Sequence, residues 1–155
     1  MILAVAAFAL ASVTFHPNTA LPASTVYDKC GGPNISPELH WSGAPPGTRG
    51  FALIVFDRDA TGGWYHWVVY NIPAPTNRLN PGVRLPLSEA GANSFNRLGY
   101  GGPCPPPGNV HHYVFTLYAL NVSRTGRSGM TGPEVEAAIR KHVLAHSTLT
   151  GLYQR

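Results

Sequence analysis

A glycine- and proline-rich stretch that leads into an aromatic segment holds the side chains best suited to chemistry. Residues 99–108 read Gly-Tyr-Gly-Gly-Pro-Cys-Pro-Pro-Pro-Gly, and residues 111–120 read His-His-Tyr-Val-Phe-Thr-Leu-Tyr-Ala-Leu. The first segment predicts a shaped, rigid loop, because proline fixes φ and glycine permits positive φ, and the second predicts a strand. Strand alternation places His111 and Tyr113 on one face, about 7 Å apart, and His112 on the other. We therefore expect His111 and Tyr113 to form the wall of a small-ligand pocket.

Two further apolar runs carry an acid and a histidine at their ends. Residues 51–56 predict a buried strand that ends at Asp57, and residues 66–72 predict a second buried strand that begins at His66. If these strands form an antiparallel hairpin, Asp57 and His66 meet in space. A carboxylate beside an imidazole fixes its tautomer or keeps it protonated, and histidine and tyrosine donate hydrogen bonds to phosphoryl or carboxyl oxygens. These residue types favour an anion-binding site.

The rest of the chain must position these groups. With 155 residues, 44% of them hydrophobic, 17 glycines and 15 prolines, the composition is typical of one loop-rich, mainly β domain, expected over residues 8–155. A start signal at residues 131–134, followed by apolar spacing of three and four, predicts a helix to about Ser147 that covers a sheet. Residues 73–98 predict an irregular excursion with little chemistry.

The charge pattern excludes several classes of function. The net charge is +4, but the basic residues form no block, so nucleic-acid binding is not expected; a mild preference for anionic small molecules or lipid headgroups fits. No stretch of about 20 apolar residues predicts a membrane span. His142 and His146 have i,i+4 spacing but lack the glutamate of a His-Glu-x-x-His motif, so we expect ordinary packing there, with no metal and no cofactor.

The N-terminus and the cysteines bear on localisation. Residues 1–7 are small and apolar, like the end of a signal peptide with Val5 and Ala7 at its cleavage site, although a positive leader is missing; the alternative is a flexible N-terminus or an edge strand. We expect export, to the periplasm or outside the cell, in preference to a cytoplasmic location. Cys30 and Cys104 would form one disulfide in an exported protein and remain two thiols in a cytosolic one.

Several motifs occur together in an order and spacing that covers nearly the whole chain. In this combination the sequence resembles the phosphatidylethanolamine-binding protein (PEBP) family, also called Raf kinase inhibitor-like proteins, in its bacterial branch. The motifs are Phe8-x-Leu10-x-Ser12-x-x-Phe15, Cys30-Gly31-Gly32-Pro33-Asn34-Ile35-Ser36-Pro37, Trp41-Ser42-Gly43, Gly62-Gly63-Trp64-Tyr65-His66-Trp67, Asn71-Ile72-Pro73-Ala74 and Leu149-x-Gly151-x-Tyr153, together with residues 99–113.

The resemblance implies a large antiparallel sheet packed against a smaller sheet, with a C-terminal helix and an anion pocket at one end. It also implies a disulfide between Cys30 and Cys104, which flank the pocket-side loops. Arg58 and Thr61 stand where the family usually has prolines, and His112 stands where it usually has arginine. The implied ligand-binding residues are Asp57, His66, His111 and Tyr113, with Trp64 at the rim and the backbone of Gly102, Pro103, Cys104 and Pro105 along the opening.

We therefore predict reversible binding of a small anion, such as phosphate, phosphorylethanolamine or acetate, with a possible regulatory role. We expect no turnover, because no serine or cysteine sits in an activated nucleophile motif. One alternative is an acid/base or metal-assisted hydrolase that uses Asp57, His66 and His111. Another is an inhibitor-type protein that binds a kinase or a protease, a partner that the sequence does not identify.

Overall fold

Two β-sheets and one α-helix make up the part of the chain that the computed structural model describes, residues 6–155. Most of the predicted signal-peptide remnant, namely residues 1–5, lies outside this range. The strands are β1 (Ala9–Ala11), β2 (Thr19–Ala20), β3 (Leu39–Ser42), β4 (Gly50–Asp57), β5 (Trp64–Pro73), β6 (Arg78–Leu79), β7 (His111–Leu120) and β8 (Val143–Tyr153), and the helix α1 spans Gly132–Ile139.

The larger sheet has the strand order β2-β8-β7-β4-β5, and the smaller sheet has the order β1-β3-β6. Both are antiparallel except for the short β2–β8 pair, which is parallel. Strand β4 lies between β5 and β7 and pairs with both. The three apolar runs of the sequence are therefore neighbours in one sheet.

Alternating side chains of β4 fill two separate cores. Phe51, Leu53 and Val55 pack with residues of the smaller sheet, whereas Ala52 and Ile54 pack with the helix. Both faces of β4 are thus covered, which explains why its sequence is apolar throughout. The predicted arrangement, a large sheet against a smaller one with a helical cover, is confirmed.

The helix is shorter than the sequence predicted. It begins where the Thr131 N–H donates to Glu134 Oε2 (2.8 Å), and it ends at Ile139. The predicted continuation to Ser147 is wrong, because residues 143–153 form β8 and pair with β7 along its whole length. That ladder satisfies the otherwise open edge of β7 and outweighs the helical spacing of a few side chains.

Because the helix ends at Ile139, His142 and His146 do not form an i,i+4 pair on one helix face. His142 lies between α1 and β8, where its Nδ1 is 3.0 Å from Asn121 Oδ1, and His146 lies within β8 opposite Tyr118. Within residues 6–155, no helix is long and apolar enough to cross a lipid bilayer.

Candidate ligand-binding site

A cavity of about 440 Å³ opens where three adjacent strands of the larger sheet begin or end. Asp57, the last residue of β4, is paired with Trp64 at the start of β5 and with Tyr113 near the start of β7. The sheet register therefore gathers polar side chains that are far apart in the sequence. The cavity is lined by Asp57, Asp59, Ala60, Thr61, Trp64, His66, Phe95, Cys104, Pro105, Pro106, His111 and Tyr113.

Asp57 orients His111. Its Oδ2 lies 2.6 Å from His111 Nδ1, and its Oδ1 accepts hydrogen bonds from the backbone N–H groups of Asp59 (2.9 Å) and Ala60 (3.2 Å). Because a carboxylate with these donors is an acceptor, Nδ1 of His111 carries a proton and Nε2 is the ring nitrogen left for a ligand. Asp57 thus contributes to the cavity by fixing the orientation and the tautomer of the His111 imidazole.

His66 is held as a neutral ring. Its Nδ1 donates to the Gly101 carbonyl (2.7 Å), which fixes the proton on that nitrogen. Burial lowers the pKa of His66, and this effect exceeds the opposing effects of the Gly101 carbonyl and the Asp57 charge. At neutral pH, Nε2 of His66 is therefore a hydrogen-bond acceptor. The sequence suggested that Asp57 pairs with His66, but the direct partner of Asp57 is His111.

Two buried donors in the cavity wall have no partner among residues 6–155. They are the Tyr113 hydroxyl and the Trp64 indole N–H. Burial, with a smaller contribution from the Asp57 charge, raises the pKa of Tyr113, so its hydroxyl stays protonated and can donate. Leaving such a group unpaired costs about 1–3 kcal/mol, a cost that a bound acceptor would remove.

A second carboxylate lies at the edge of the cavity. Asp59 Oδ2 accepts from both the backbone N–H (2.7 Å) and the Nδ1 (2.8 Å) of His112. Burial alone would raise the pKa of Asp59, but the His112 hydrogen bonds outweigh it and hold the pKa below its usual value. His112 itself does not line the cavity, in agreement with the predicted alternation. Arg58 is exposed and also lies outside the lining, whereas Thr61 is part of it.

The proline-rich loop forms part of the cavity wall. Cys104 and Pro105 line the cavity, and the predicted disulfide joins Cys104 to Cys30. Gly102 and Pro103, which the resemblance placed at the opening, lie behind this wall. There the Gly102 N–H donates to Asn34 Oδ1 (2.8 Å) and the Pro103 carbonyl accepts from the Tyr27 N–H (3.1 Å).

Phe95 is a wall residue that the sequence did not reveal. Its ring stacks on Tyr27 at 3.9 Å and meets Trp64 and His66 edge to face at 5.2 and 5.6 Å. Ser94 beside it accepts from the Tyr65 N–H (2.9 Å). The expectation that residues 73–98 carry little chemistry is therefore wrong, because this segment closes the cavity on the Trp64 side. The sequence reasoning also missed Asp59, Ala60 and Pro106.

The comparison with known proteins decides the family. The sequence matches the phosphatidylethanolamine-binding protein family over residues 11–154. The chain belongs to this family. The crystal structure of Escherichia coli YbcL, described as a new member of the mammalian PEBP family, superimposes on this chain with a TM-score of 0.90. YbcL is 36% identical, and the match covers 97% of this chain and 99% of YbcL.

Two further relatives extend this PEBP assignment. The UPF0098 protein of Methanothermobacter thermautotrophicus is 45% identical over 132 residues, which cover 81% of this chain and 87% of the relative. A Mycobacterium tuberculosis relative that carries a lipoprotein name, LppC, is 37% identical over 147 residues, covering 94% of this chain and 71% of LppC. Both the PEBP family and the PEBP fold expected from the sequence are thus confirmed.

Proposed function

We propose that this PEBP-family protein binds a small anion reversibly, with a phosphoryl group as the preferred ligand. The observation that carries the proposal is the buried Tyr113 hydroxyl, a donor without a partner in the described chain, in a cavity that also holds His111. A phosphoryl group would accept from the Tyr113 hydroxyl and hydrogen-bond to His111 Nε2, the ring nitrogen that Asp57 leaves free. The Trp64 N–H supplies another donor.

The carboxylates in the wall do not prevent this. Both Asp57 oxygens and Asp59 Oδ2 already accept hydrogen bonds from histidine or backbone donors, which offset their negative charge toward a bound anion. His66 Nε2, as an acceptor, suits the P–OH group of a monoprotonated phosphate. The site therefore favours a phosphoryl ligand that carries one proton over acetate, which offers fewer groups to bind.

The position of Asp59 favours a zwitterion. Its carboxylate is half-exposed, and the Trp64 ring lines the same cavity. An ammonium group would be attracted to this carboxylate and to the face of the indole. Phosphorylethanolamine, which joins a phosphoryl group to an ammonium, would use both the hydrogen-bond donors and the Asp59 carboxylate, whereas inorganic phosphate would use only the donors.

We also propose that the bound ligand is not turned over. Of the thiol and hydroxyl side chains in the cavity, Cys104 is tied into the disulfide, Tyr113 holds its proton because burial raises its pKa, and exposed Thr61 has no hydrogen bond to a base among residues 6–155. The Asp57–His111 pair alone supplies acid/base chemistry but no activated nucleophile. Phosphorylethanolamine incubated with the protein should release no inorganic phosphate above the buffer control.

Calorimetric titration with phosphate, phosphorylethanolamine and acetate tests the binding. We expect His111→Ala to weaken phosphate binding about fivefold to a hundredfold, the loss of one hydrogen bond to an anion. His112→Ala, a matched change on the opposite face of the same strand, should leave phosphate affinity within about twofold. Equal losses in the two variants, or hydrolysis that disappears in Asp57→Asn, would overturn the proposal.

We infer that the protein works in an oxidising compartment. A disulfide persists in exported proteins and is rare in the cytosol, and the relative LppC carries a lipoprotein name. Fractionation of the source cells should find the protein, with its cysteines oxidised, outside the cytoplasm. Recovery from the cytoplasm with two free thiols would contradict this inference.

A further inference from the structure

A second cavity, of about 340 Å³, lies on the other side of the segment that bounds the first. Gly99 and Tyr100 line it, while the next residue, Gly101, holds His66 in the first cavity through its carbonyl. Chain segments around residues 34–36, 82–90 and 98–100 meet here over the indole of Trp67. The volume is within the range of small-molecule pockets.

One buried hydroxyl in this cavity has no partner. Ser36 is 3% exposed, and within residues 6–155 its Oγ makes no hydrogen bond, although its backbone carbonyl accepts from the Gly82 N–H (3.0 Å). The position is not a turn cap, since a capping hydroxyl would bond to a nearby backbone group. A ligand acceptor is the partner that this hydroxyl lacks.

The other lining groups define the chemistry of that ligand. Leu87 and Leu98 are 69% and 50% exposed, and both line this cavity together with Leu85 and Val83, so the cavity offers apolar contact surface as well as polar groups. Arg84 is exposed at the same cavity and forms no ion pair with any described residue. No carboxylate lines the cavity, in contrast to the first one.

We propose that the second cavity binds a small amphipathic carboxylate, such as a medium-chain fatty acid. The hydrocarbon chain packs among the leucines, and the carboxylate accepts from the Ser36 hydroxyl and pairs with Arg84. A cation of the same length is disfavoured, because the only formal charge in the lining is positive. This site is separate from the phosphoryl site, so either proposal can fail without the other.

A titration with sodium octanoate, followed by amide chemical shifts in nitrogen-15-labelled protein, tests the assignment. We expect saturable shifts at Gly82 and Gly99 and none with octylammonium at the same concentration. Arg84→Gln should weaken octanoate binding about threefold to fivefold, as for an exposed ion pair. Arg49→Gln, the same charge change at an exposed site outside the cavity, should leave it unchanged.

Two further variants keep the proposal falsifiable. Ser36→Ala should weaken octanoate binding about threefold to tenfold without lowering the stability of the free protein, since its hydroxyl makes no bond there. His111→Ala should bind octanoate as the wild type does. The proposal is overturned if octanoate shifts only residues of the first cavity, if octylammonium binds equally well, or if the two arginine variants behave alike.

Discussion

Replacing Tyr113 with phenylalanine should move stability and ligand affinity in opposite directions. The substitution deletes a buried hydroxyl that has no partner in the described chain and keeps a ring that is 1% exposed. An unsatisfied buried hydroxyl costs about 1–3 kcal/mol, so the ligand-free variant should be stabilised by about 1 kcal/mol. For a domain of this size, 1 kcal/mol raises Tm by about 2–4 °C.

Phosphate affinity should fall in the same variant. Loss of one hydrogen bond to the anion is worth about 1–2 kcal/mol, which is about fivefold to thirtyfold in Kd. Thermal unfolding with and without phosphate measures both effects, because a ligand that binds the folded state raises Tm by an amount that grows with the logarithm of its concentration divided by Kd. The phosphate-induced rise in Tm should therefore shrink in Tyr113→Phe.

Tyr70 provides the matched control. It is fully buried, and its hydroxyl donates to the Arg127 carbonyl (2.7 Å) and accepts from the Met130 N–H (3.0 Å). Tyr70→Phe makes the same chemical change but leaves the Arg127 carbonyl and the Met130 N–H without their hydrogen-bond partner. It should therefore destabilise the protein by about 1–3 kcal/mol and leave phosphate affinity unchanged. If Tyr113→Phe destabilises the free protein as much as Tyr70→Phe does, the hydroxyl has a structural partner and our reasoning about the cavity is refuted.

Two other predictions concern the frame of the site. Replacing Cys30 and Cys104 together with serine opens a cross-link between residues 74 positions apart, which should lower the free energy of unfolding by about 4 kcal/mol in guanidinium titrations; a loss below about 1 kcal/mol would contradict this. Because burial lowers the pKa of His66, this side chain takes up a proton at a higher pH in the unfolded chain than in the folded chain. Stability should therefore fall as pH drops below about 6.5. His66→Asn should reduce this slope by up to about 1.4 kcal/mol per pH unit, and identical slopes for variant and wild type would rule out His66 as the source.

The gathering of Asp57, His66, His111 and Tyr113 could be predicted because each lies at the end of a run of residues that forms a buried strand. Continuous apolar runs identify central strands, and strand alternation then fixes which side chains share a face. This reasoning correctly turned His112 away from the cavity. It could not assign the hydrogen-bond partner of Asp57, because both histidines lie within reach of the end of β4.

The sequence pattern did not predict where the helix ends. Val143 continues the helical spacing of Val135 and Ile139, whereas residues 143–149 (Val-Leu-Ala-His-Ser-Thr-Leu) show no apolar-polar alternation, so the sequence favours helix over strand. What decides between the two is β7, whose open edge accepts a ladder from His111↔Tyr153 to Leu120↔Val143. Pairing with a strand that is distant in sequence leaves no pattern within residues 143–153 themselves.

Phe95 and Gly102 were unpredictable for a related reason. Phe95 lies in an irregular segment that is held in place by the Asn93 side chain, which bonds to backbone groups of residues 95, 97 and 99. Gly102 lies behind the wall because its N–H bonds to Asn34, 68 residues away in sequence. The turn around Asn93 is local, but the Phe95 ring stacks on Tyr27, and this contact, like that of Gly102 with Asn34, joins residues far apart in sequence that no local rule relates.

The segment from Gly99 to Cys104 runs from the second cavity, which Gly99 and Tyr100 line, to the first, which Cys104 lines, and three distant contacts fix its shape. Asn34 bonds to the Tyr100 carbonyl and the Gly102 N–H, His66 donates to the Gly101 carbonyl, and the disulfide holds Cys104. A displacement of Tyr100 by a ligand in the second cavity would act on the carbonyl that fixes the His66 tautomer, one residue away. Asn34 hydrogen-bonds to Tyr100 and to Gly102, the residues on either side of that carbonyl. We therefore expect these hydrogen bonds to resist the displacement before it reaches Gly101. The Asn34 hydrogen bonds thus both hold the His66 partner in place and keep ligand binding in one cavity from affecting the other.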